Sequence, residues 1–157
     1  MTVLRVRELN HGPIQGLTAN WSAGVHGVCG GEACGKTTLL RLLSGDLQPK
    51  SGEVNRPEGG VFWVDLQGAE HDEITVQACW EALRAQHPRW STDLLKDLAE
   101  ALEMTTHLDK RLHMLSAGSR RKVMVAAALA AGTTVTLLDQ PFAALDWKSI
   151  RVIHGFL

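Results

Sequence analysis

The chain has 157 residues, of which 45% are hydrophobic and 21% are charged, and its formal net charge is -1. A chain of this length buries a sufficient core as one compact domain, so it requires neither a disulfide nor a structural metal, and two independent domains are not expected. The balanced charge, without any run of five like charges, gives no electrostatic footprint for nucleic acid or for an anionic membrane surface.

The first third of the chain predicts two strands, followed by a strand, a glycine-rich loop and a helix. Met1–Leu9 alternates apolar and charged residues, which is typical of a half-buried strand, and Leu17–Ala23 has the pattern of a second strand. Val25–Gly30 is a short apolar segment that we interpret as a strand ahead of the loop. Thr37–Leu43 has a helical pattern that Gly45 ends.

The rest of the chain alternates helices with strands. Gly60–Asp65 predicts a strand, and apolar residues then repeat at helical spacing over 76–83 and, behind Ser91 as a cap, over 94–102. An alanine-rich helix is expected over Ser119–Ala131, followed by a buried strand over Thr134–Asp139.

This order of elements predicts an α/β fold of the P-loop type. We expect a mainly parallel sheet with helices on its faces, antiparallel strands at the N-terminus, and one domain over 1–157 in which 68–114 form an inserted helical subdomain. The tryptophans Trp63 and Trp80 are expected in the core, and Arg120–Lys122 on a solvated helix face.

The cysteines, histidines and apolar runs together predict the compartment of the chain. The three cysteines are odd in number and lack Cys-x-x-Cys spacing, and the seven histidines fall singly, so we expect neither a disulfide framework nor a zinc site. No apolar run approaches the ~20 residues that span a bilayer, and polar residues come too early for a signal peptide. The sequence therefore predicts a cytoplasmic chain that is neither secreted nor integral to a membrane.

A phosphate-binding loop is the strongest chemical signal in the sequence. The run from Gly30 to Thr37 satisfies the pattern G-x-x-x-x-G-K-[ST] between a predicted strand and a predicted helix. Glycines and free helix N-terminal amides accommodate phosphate oxygens, Lys36 adds a point charge, and Thr37 offers a hydroxyl to Mg²⁺. The alternative is a plain glycine-rich turn. The expected phosphate-binding residues are Gly30, Gly31, Glu32, Ala33, Cys34, Gly35, Lys36, Thr37 and Thr38.

A P-loop also needs a carboxylate at the end of a neighbouring strand to hold the metal ion. Asp139 follows the predicted strand over 134–138 and has this placement. Any buried strand that ends in aspartate would look the same, but the upstream loop favours the metal role.

Three further segments resemble the ATP-binding cassette (ABC) ATPases. Leu115–Ser119 reads LSAGS, Leu137–Pro141 reads LLDQP and Ala143–Asp146 reads AALD, in the family's order after the P-loop. The family's usual forms of these segments are LSGGQ, LLDEP and SALD. Within the family, LSAG followed by Arg-Arg-Lys-Val is similar to the ATPases of the haem exporter used in cytochrome c maturation.

The resemblance implies a set of partners and residue roles. Two cassettes would sandwich two ATP molecules head to tail, with Ser116 and Gly118 reaching the γ-phosphate on the partner's P-loop and Asp146 facing the partner. Gln67 would touch the metal and the attacking water, so the expected metal set is Thr37, Gln67 and Asp139. A transmembrane permease subunit is the second implied partner, which would place the chain on the inner face of the cell membrane. Read without the family, Ser116 and Asp146 are ordinary helix caps.

The sequence departs from the family pattern in ways that weaken hydrolysis. The family normally has glutamate where this chain has Gln140, and a neutral amide can orient water but cannot accept its proton. The candidate catalytic residues are therefore Gln140, Gln67 and Lys36.

Two other departures concern adenine binding and the end of the chain. His11 is the nearest substitute in this chain for the aromatic ring that the family stacks on adenine. The family's last strands and its switch histidine are expected to be missing, since His154 lies too close to Asp146 for that role.

Three alternatives to a transporter ATPase stay open. Gln140 favours an ATP-binding cassette with a regulatory or structural role and no useful turnover. A cassette acting on DNA or ribosomes would need a coiled-coil insert or a basic tract, so no nucleic-acid partner is expected. Small-molecule kinases share the P-loop but lack an LSAGS segment between it and Asp139.

Overall fold

A computed structural model describes all residues from Met1 to Leu157 and divides the chain into two compact units. The first unit comprises Met1–Trp63 and Thr133–Asp139. The second unit comprises Val64–Gly132 and Gln140–Leu157.

The first unit contains five strands and one helix. Strands β1 (Thr2–His11), β2 (Ile14–Ser22) and β3 (Ser51–Asn55) form an antiparallel sheet in the order β2-β1-β3. Helix α1 covers Lys36–Ser44. Strands β4 (Val61–Phe62) and β5 (Val135–Thr136) form a separate parallel pair in which Val61 lies opposite Val135.

A bulge in β1 sets which side chains enter the core. Leu4 and Val6 are buried on one face, and strict alternation would place Glu8 beside them. Glu8 instead has a φ of 47°, the register shifts there, and Leu9 is buried in its place. Gly52 on β3 allows this, because a Cβ at that position would lie 2.3 Å from the Glu8 carbonyl oxygen. Leucines from α1 close this core: Leu39, Leu42 and Leu43.

The second unit is helical. It contains α2 (Val76–Gln86), α3 (Thr92–Ala101), α4 (Ala117–Ala130) and α5 (Trp147–Phe156), with short 3-10 turns at Ala69–His71, Thr105–His107 and Leu112–Met114. Each of the four helices begins at a side-chain cap, namely Thr75, Ser91, Ser116 and Asp146. The alanines in the C-terminal half of α4, namely Ala126, Ala127, Ala128 and Ala130, are buried. The Trp80 indole N–H of α2 donates to the Val123 carbonyl of α4 at 3.0 Å.

Several predicted elements differ from those in the structure. Val25–Gly30 is irregular and exposed rather than a strand, and the predicted strands over 60–65 and 134–139 shorten to two residues each. The parallel sheet is therefore a single strand pair. Strand β3 has no counterpart among the predicted elements, and α4 begins two residues before its predicted start. In α5, Ile153 is buried but Trp147 is 72% exposed.

The predicted α/β class, with antiparallel N-terminal strands and a helical region, is confirmed. The predicted insert 68–114 falls inside the second unit. None of the helices combines the length and apolarity needed to cross a bilayer.

Candidate functional site

The loop ahead of α1 is wrapped around the ammonium group of Lys36. Lys36 Nζ donates to the carbonyl oxygens of Gly30, at 2.9 Å, and Gly31, at 2.6 Å, and lies 3.6 Å from Cys34 Sγ. A single cation thus gathers the loop's carbonyl groups on one side. The predicted loop lysine and glycines are therefore brought together as the sequence pattern required.

Backbone conformation explains the small residues in this loop. Ala33 has a φ of 55° and Gly35 a φ of 98°, both in the left-handed region that reverses the chain. A Cβ at Gly35 would also lie 2.7 Å from the Pro13 ring. Gly35 precedes α1 without any side-chain cap, so the first amides of the helix are left for another acceptor. Such a terminus suits an anion.

Oxygen donors lie beside this terminus, as Mg²⁺ prefers. Thr37 Oγ1 donates to Asp139 Oδ2 at 2.5 Å, which joins the first turn of α1 to the end of the segment that contains β5. A hydroxyl and a carboxylate are hard oxygen ligands, and Mg²⁺ bound with phosphates commonly uses one or two such groups. The donor set of the first unit therefore fits Mg-ATP, with Lys36 for phosphate charge and Thr37 with Asp139 for the metal.

In the second unit, Ser116 and Gly118 open helix α4. Ser116 caps the helix, since its Oγ accepts from the Ser119 N–H at 3.1 Å, so its interpretation as a helix cap holds. Gly118 has a packing reason that the sequence did not reveal: a Cβ there would lie 2.4 Å from the Ala144 carbonyl oxygen. Ser116 remains exposed, with its hydroxyl and the helix N-terminus accessible to an anion.

Gln67 is exposed in a turn that is held at several points. Its N–H donates to Asp65 Oδ1 at 2.9 Å, and the neighbouring carbonyls of Leu66 and Gly68 accept from Arg120. The expectation that Arg120–Lys122 forms a solvated face is wrong. The Arg120 side chain is 12% exposed and that of Lys122 is 13% exposed, because both reach polar partners within the unit.

Gln140 and Asp146 delimit the turn that leads into α5. Gln140 is exposed and has a φ of 47°, and its carbonyl accepts from the Ala143 N–H at 3.1 Å. Asp146 caps α5 by accepting from the Ser149 N–H at 2.8 Å. That bond, the Ser149 hydroxyl and nearby Lys122 hold the pKa of Asp146 below its usual value.

The histidines and tryptophans considered in the sequence analysis lie in contact with the fold. His11 is half-buried at the end of β1, opposite Ile14, rather than in a free loop. His154 stacks on Phe142 with ring centroids 4.9 Å apart. Trp80 is buried, which confirms its core assignment, while Trp63 is partly buried.

A glycine loop closed around a lysine, leading into an uncapped helix beside an aspartate, defines a P-loop nucleotide-binding protein. A family profile described as ABC transporter matches residues 18–143. The chain belongs to the ABC transporter family.

Relatives and solved structures agree with this assignment. The chain is 33% identical over 141 residues to the cytochrome c biogenesis ATP-binding export protein CcmA of Pseudomonas savastanoi pv. phaseolicola, covering 83% of this chain and 66% of that protein. It is 36% identical over 122 residues to CcmA of Gluconobacter oxydans, covering 78% and 56%. A solved ABC ATP-binding protein from Pyrococcus furiosus superposes with a TM-score of 0.73 at 26% identity, covering 98% of this chain and 82% of that one.

These findings confirm the predicted family and the predicted similarity to the ATPases of cytochrome c maturation. The match is not confined to them, since the mouse cholesterol transporter ABCA5 is 28% identical over 152 residues, covering 80% of this chain. The chain spans 66% and 56% of the two CcmA proteins and 9% of ABCA5.

Proposed function

We propose that the chain binds Mg-ATP and acts as the ATP-binding cassette of a transporter. The contact between Thr37 Oγ1 and Asp139 Oδ2 carries this proposal, because it brings the loop hydroxyl and the strand-end carboxylate to one point beside the α1 N-terminus. When bound, ATP supplies the γ-phosphate to be cleaved and Mg²⁺ neutralises its charge. Lys36 and the loop amides bind the phosphates, and Thr37 and Asp139 hold the metal.

The transporter role extends this binding to two partners. A second cassette would bind head to tail, so that Ser116 and the α4 N-terminus of one chain meet the phosphates held by the other. The exposed Ser116 hydroxyl and the dipole of a helix with 14 residues support this role. A transmembrane permease subunit would convert closure of the two cassettes into transport, with the chain bound at the cytoplasmic face of the membrane.

Equilibrium binding of a fluorescent ATP analogue, with and without Mg²⁺, tests the nucleotide site. Lys36→Ala removes the ammonium that holds Gly30 and Gly31, so we expect roughly 10- to 100-fold weaker binding, as the loss of a charge-assisted contact gives. Asp139→Asn should selectively reduce the increase in affinity for the ATP analogue that Mg²⁺ provides. Lys50→Ala, an exposed lysine of the same unit, is the matched control and should bind as the unaltered chain does.

Two results would overturn the nucleotide-binding proposal. One is an unaltered chain that does not bind the analogue at millimolar Mg²⁺. The other is a Lys36→Ala variant that matches the Lys50→Ala control.

Gln140 favours a second candidate function, a cassette that dimerises on ATP without useful turnover. A glutamine at this position can orient water but cannot act as its base. Gln140→Glu restores a carboxylate without changing side-chain length. The left-handed backbone at φ 47° is about equally strained for both residues, so the substitution isolates the carboxylate.

Phosphate release and light scattering with Mg-ATP separate the two functions. A dimer that forms only with ATP, releases no phosphate and gains roughly 100- to 10,000-fold in hydrolysis on Gln140→Glu supports the silent cassette. Steady phosphate release by the unaltered chain together with its membrane partner excludes it. The Gln140→Glu variant is compared with Gln140→Asn, which changes the side chain without adding a carboxylate.

A further inference from the structure

The Arg120 side chain makes three hydrogen bonds within the second unit. Its Nε donates to the Leu66 carbonyl at 2.8 Å, Nη2 to the Gly68 carbonyl at 3.1 Å, and Nη1 to Asp72 Oδ1 at 2.7 Å. All three guanidinium nitrogens are therefore engaged while the side chain is 12% exposed.

The two carbonyls that Arg120 binds lie on either side of Gln67. Leu66 is buried at 1% exposure, and the Gln67 N–H is held by Asp65. The backbone of this turn is thus fixed before, at and after Gln67, while the Gln67 side chain itself is exposed. Such an arrangement restricts where the turn presents that side chain.

We refer to Arg120 with its three acceptors on Leu66, Gly68 and Asp72 as the Arg120 clamp. Asp72 stabilises this clamp electrostatically. It supplies the negative charge that a largely buried guanidinium requires, and its side chain is itself 33% exposed. The planar fork of arginine reaches three acceptors in fixed directions, which a single ammonium cannot reproduce. Lysine at this position would keep the charge but lose most of the geometry.

Arg120 also connects the turn to the start of α4. Its backbone N–H donates to the Ser116 carbonyl at 2.9 Å, which is the first hydrogen bond of the helix. The same residue therefore bonds the segment that carries Ser116 through its backbone and the segment that carries Gln67 through its side chain.

We propose that Arg120 is a positioning residue that fixes the backbone around Gln67 relative to the N-terminus of α4. The inference rests on the proposed function for its catalytic meaning, because the role toward metal and water that the family resemblance implies for Gln67 exists only in a nucleotide-binding cassette. Arg120 acts through Gln67 and does not itself touch nucleotide.

Hydrogen exchange tests the clamp without requiring nucleotide. In Arg120→Lys, the amides of Gln67 and His71 should exchange about tenfold faster, because the turn loses charge-assisted hydrogen bonds to Leu66 and Gly68. Arg111→Lys is the matched control, since Arg111 pairs with Glu73 on the surface of the same unit and should leave these amides unchanged.

Asp72→Asn provides a milder second variant. It keeps both carbonyl bonds, so it should shift the same amides in the same direction by less, even if Arg120→Lys proves too unstable to purify. Exchange at Gln67 and His71 that is unchanged in both variants overturns the clamp.

A double-mutant cycle tests whether Arg120 acts through Gln67. The readout is the Mg²⁺ concentration that gives half-maximal binding of the fluorescent ATP analogue. As the single substitution, Arg120→Lys should raise this Mg²⁺ concentration several-fold. In the Gln67→Ala background, the same substitution should leave it unchanged. Equal shifts in both backgrounds overturn the positioning role and leave a purely structural one.

The proposed function and the Arg120 proposal can fail independently of each other. If the unaltered chain binds no Mg-ATP, the proposed function fails while the hydrogen exchange result still decides whether Arg120 clamps the turn.

Discussion

Gly118→Ala should destabilise the fold, although alanine favours helices more than glycine does. Gly118 lies in the first turn of α4, and a Cβ built there falls 2.4 Å from the Ala144 carbonyl oxygen. Real Cβ atoms essentially never approach a heavy atom within 3.0 Å, and this neighbour is backbone, so the chain itself must move.

The expected size follows from two opposing terms. Overpacking of a tight contact costs about 1–3 kcal/mol. The helix propensity gained from glycine to alanine is at most about 1 kcal/mol and is smaller in the first turn. The net loss is therefore about 1–2 kcal/mol, which corresponds to a fall in Tm of roughly 2–8 °C for a domain of this size.

Gly155→Ala is the matched control for this measurement. Gly155 lies in α5, and a Cβ there meets nothing within 4 Å, so this variant should retain or slightly raise the Tm. Thermal unfolding followed by circular dichroism compares both variants without nucleotide. A Gly118→Ala variant as stable as Gly155→Ala would refute the packing argument and leave a role toward phosphate as the reason for glycine.

Three further perturbations probe thiols and a buried indole. Burial raises the pKa of the Cys79 thiol to about 11 from its ordinary 9.0. The free energy of unfolding should therefore be unaffected by this thiol below pH 9 and should fall by roughly 2–3 kcal/mol between pH 9 and pH 11. Denaturant unfolding of Cys79→Ala should lack this decline. N-ethylmaleimide should modify exposed Cys29 and Cys34 but spare Cys79, and block ATP-analogue binding unless Cys34 is changed to serine. Trp80→Phe removes the bond to the Val123 carbonyl and should cost about 1–3 kcal/mol by urea unfolding.

Local signals in the sequence were enough for the loop and most helix ends. The P-loop pattern predicts the positions of Lys36 and Thr37, and Ser91 is predicted as a helix cap, which the hydrogen bond from the Leu94 N–H to its Oγ confirms. These features depend on residues within a few positions of one another, which a linear sequence displays. The same holds for the family, because the cassette motifs are short and ordered along the chain.

Features created by distant neighbours escaped prediction. Nothing around Arg120 marks it as buried, since its partners Leu66, Gly68 and Asp72 lie 48 to 54 residues away. A run of three basic residues ordinarily indicates a solvated face, and only the fold shows that the guanidinium has carbonyl partners. The β1 bulge escaped for a similar reason, because its counterpart Gly52 lies on another strand.

The turn after Asp139 shows how tertiary contacts overrule local preference. Gln140 and Ala144 have φ values of 47° and 61°, conformations that cost non-glycine residues of order 1 kcal/mol and that a free peptide would avoid. Their neighbours hold the turn: the Ala144 carbonyl lies against Gly118 and Asp146 caps α5. Strain maintained by surrounding structure is typical of functional turns. The backbone that presents Gln140 is therefore set by α4 and α5, so that replacing this side chain tests its chemistry while the geometry stays fixed.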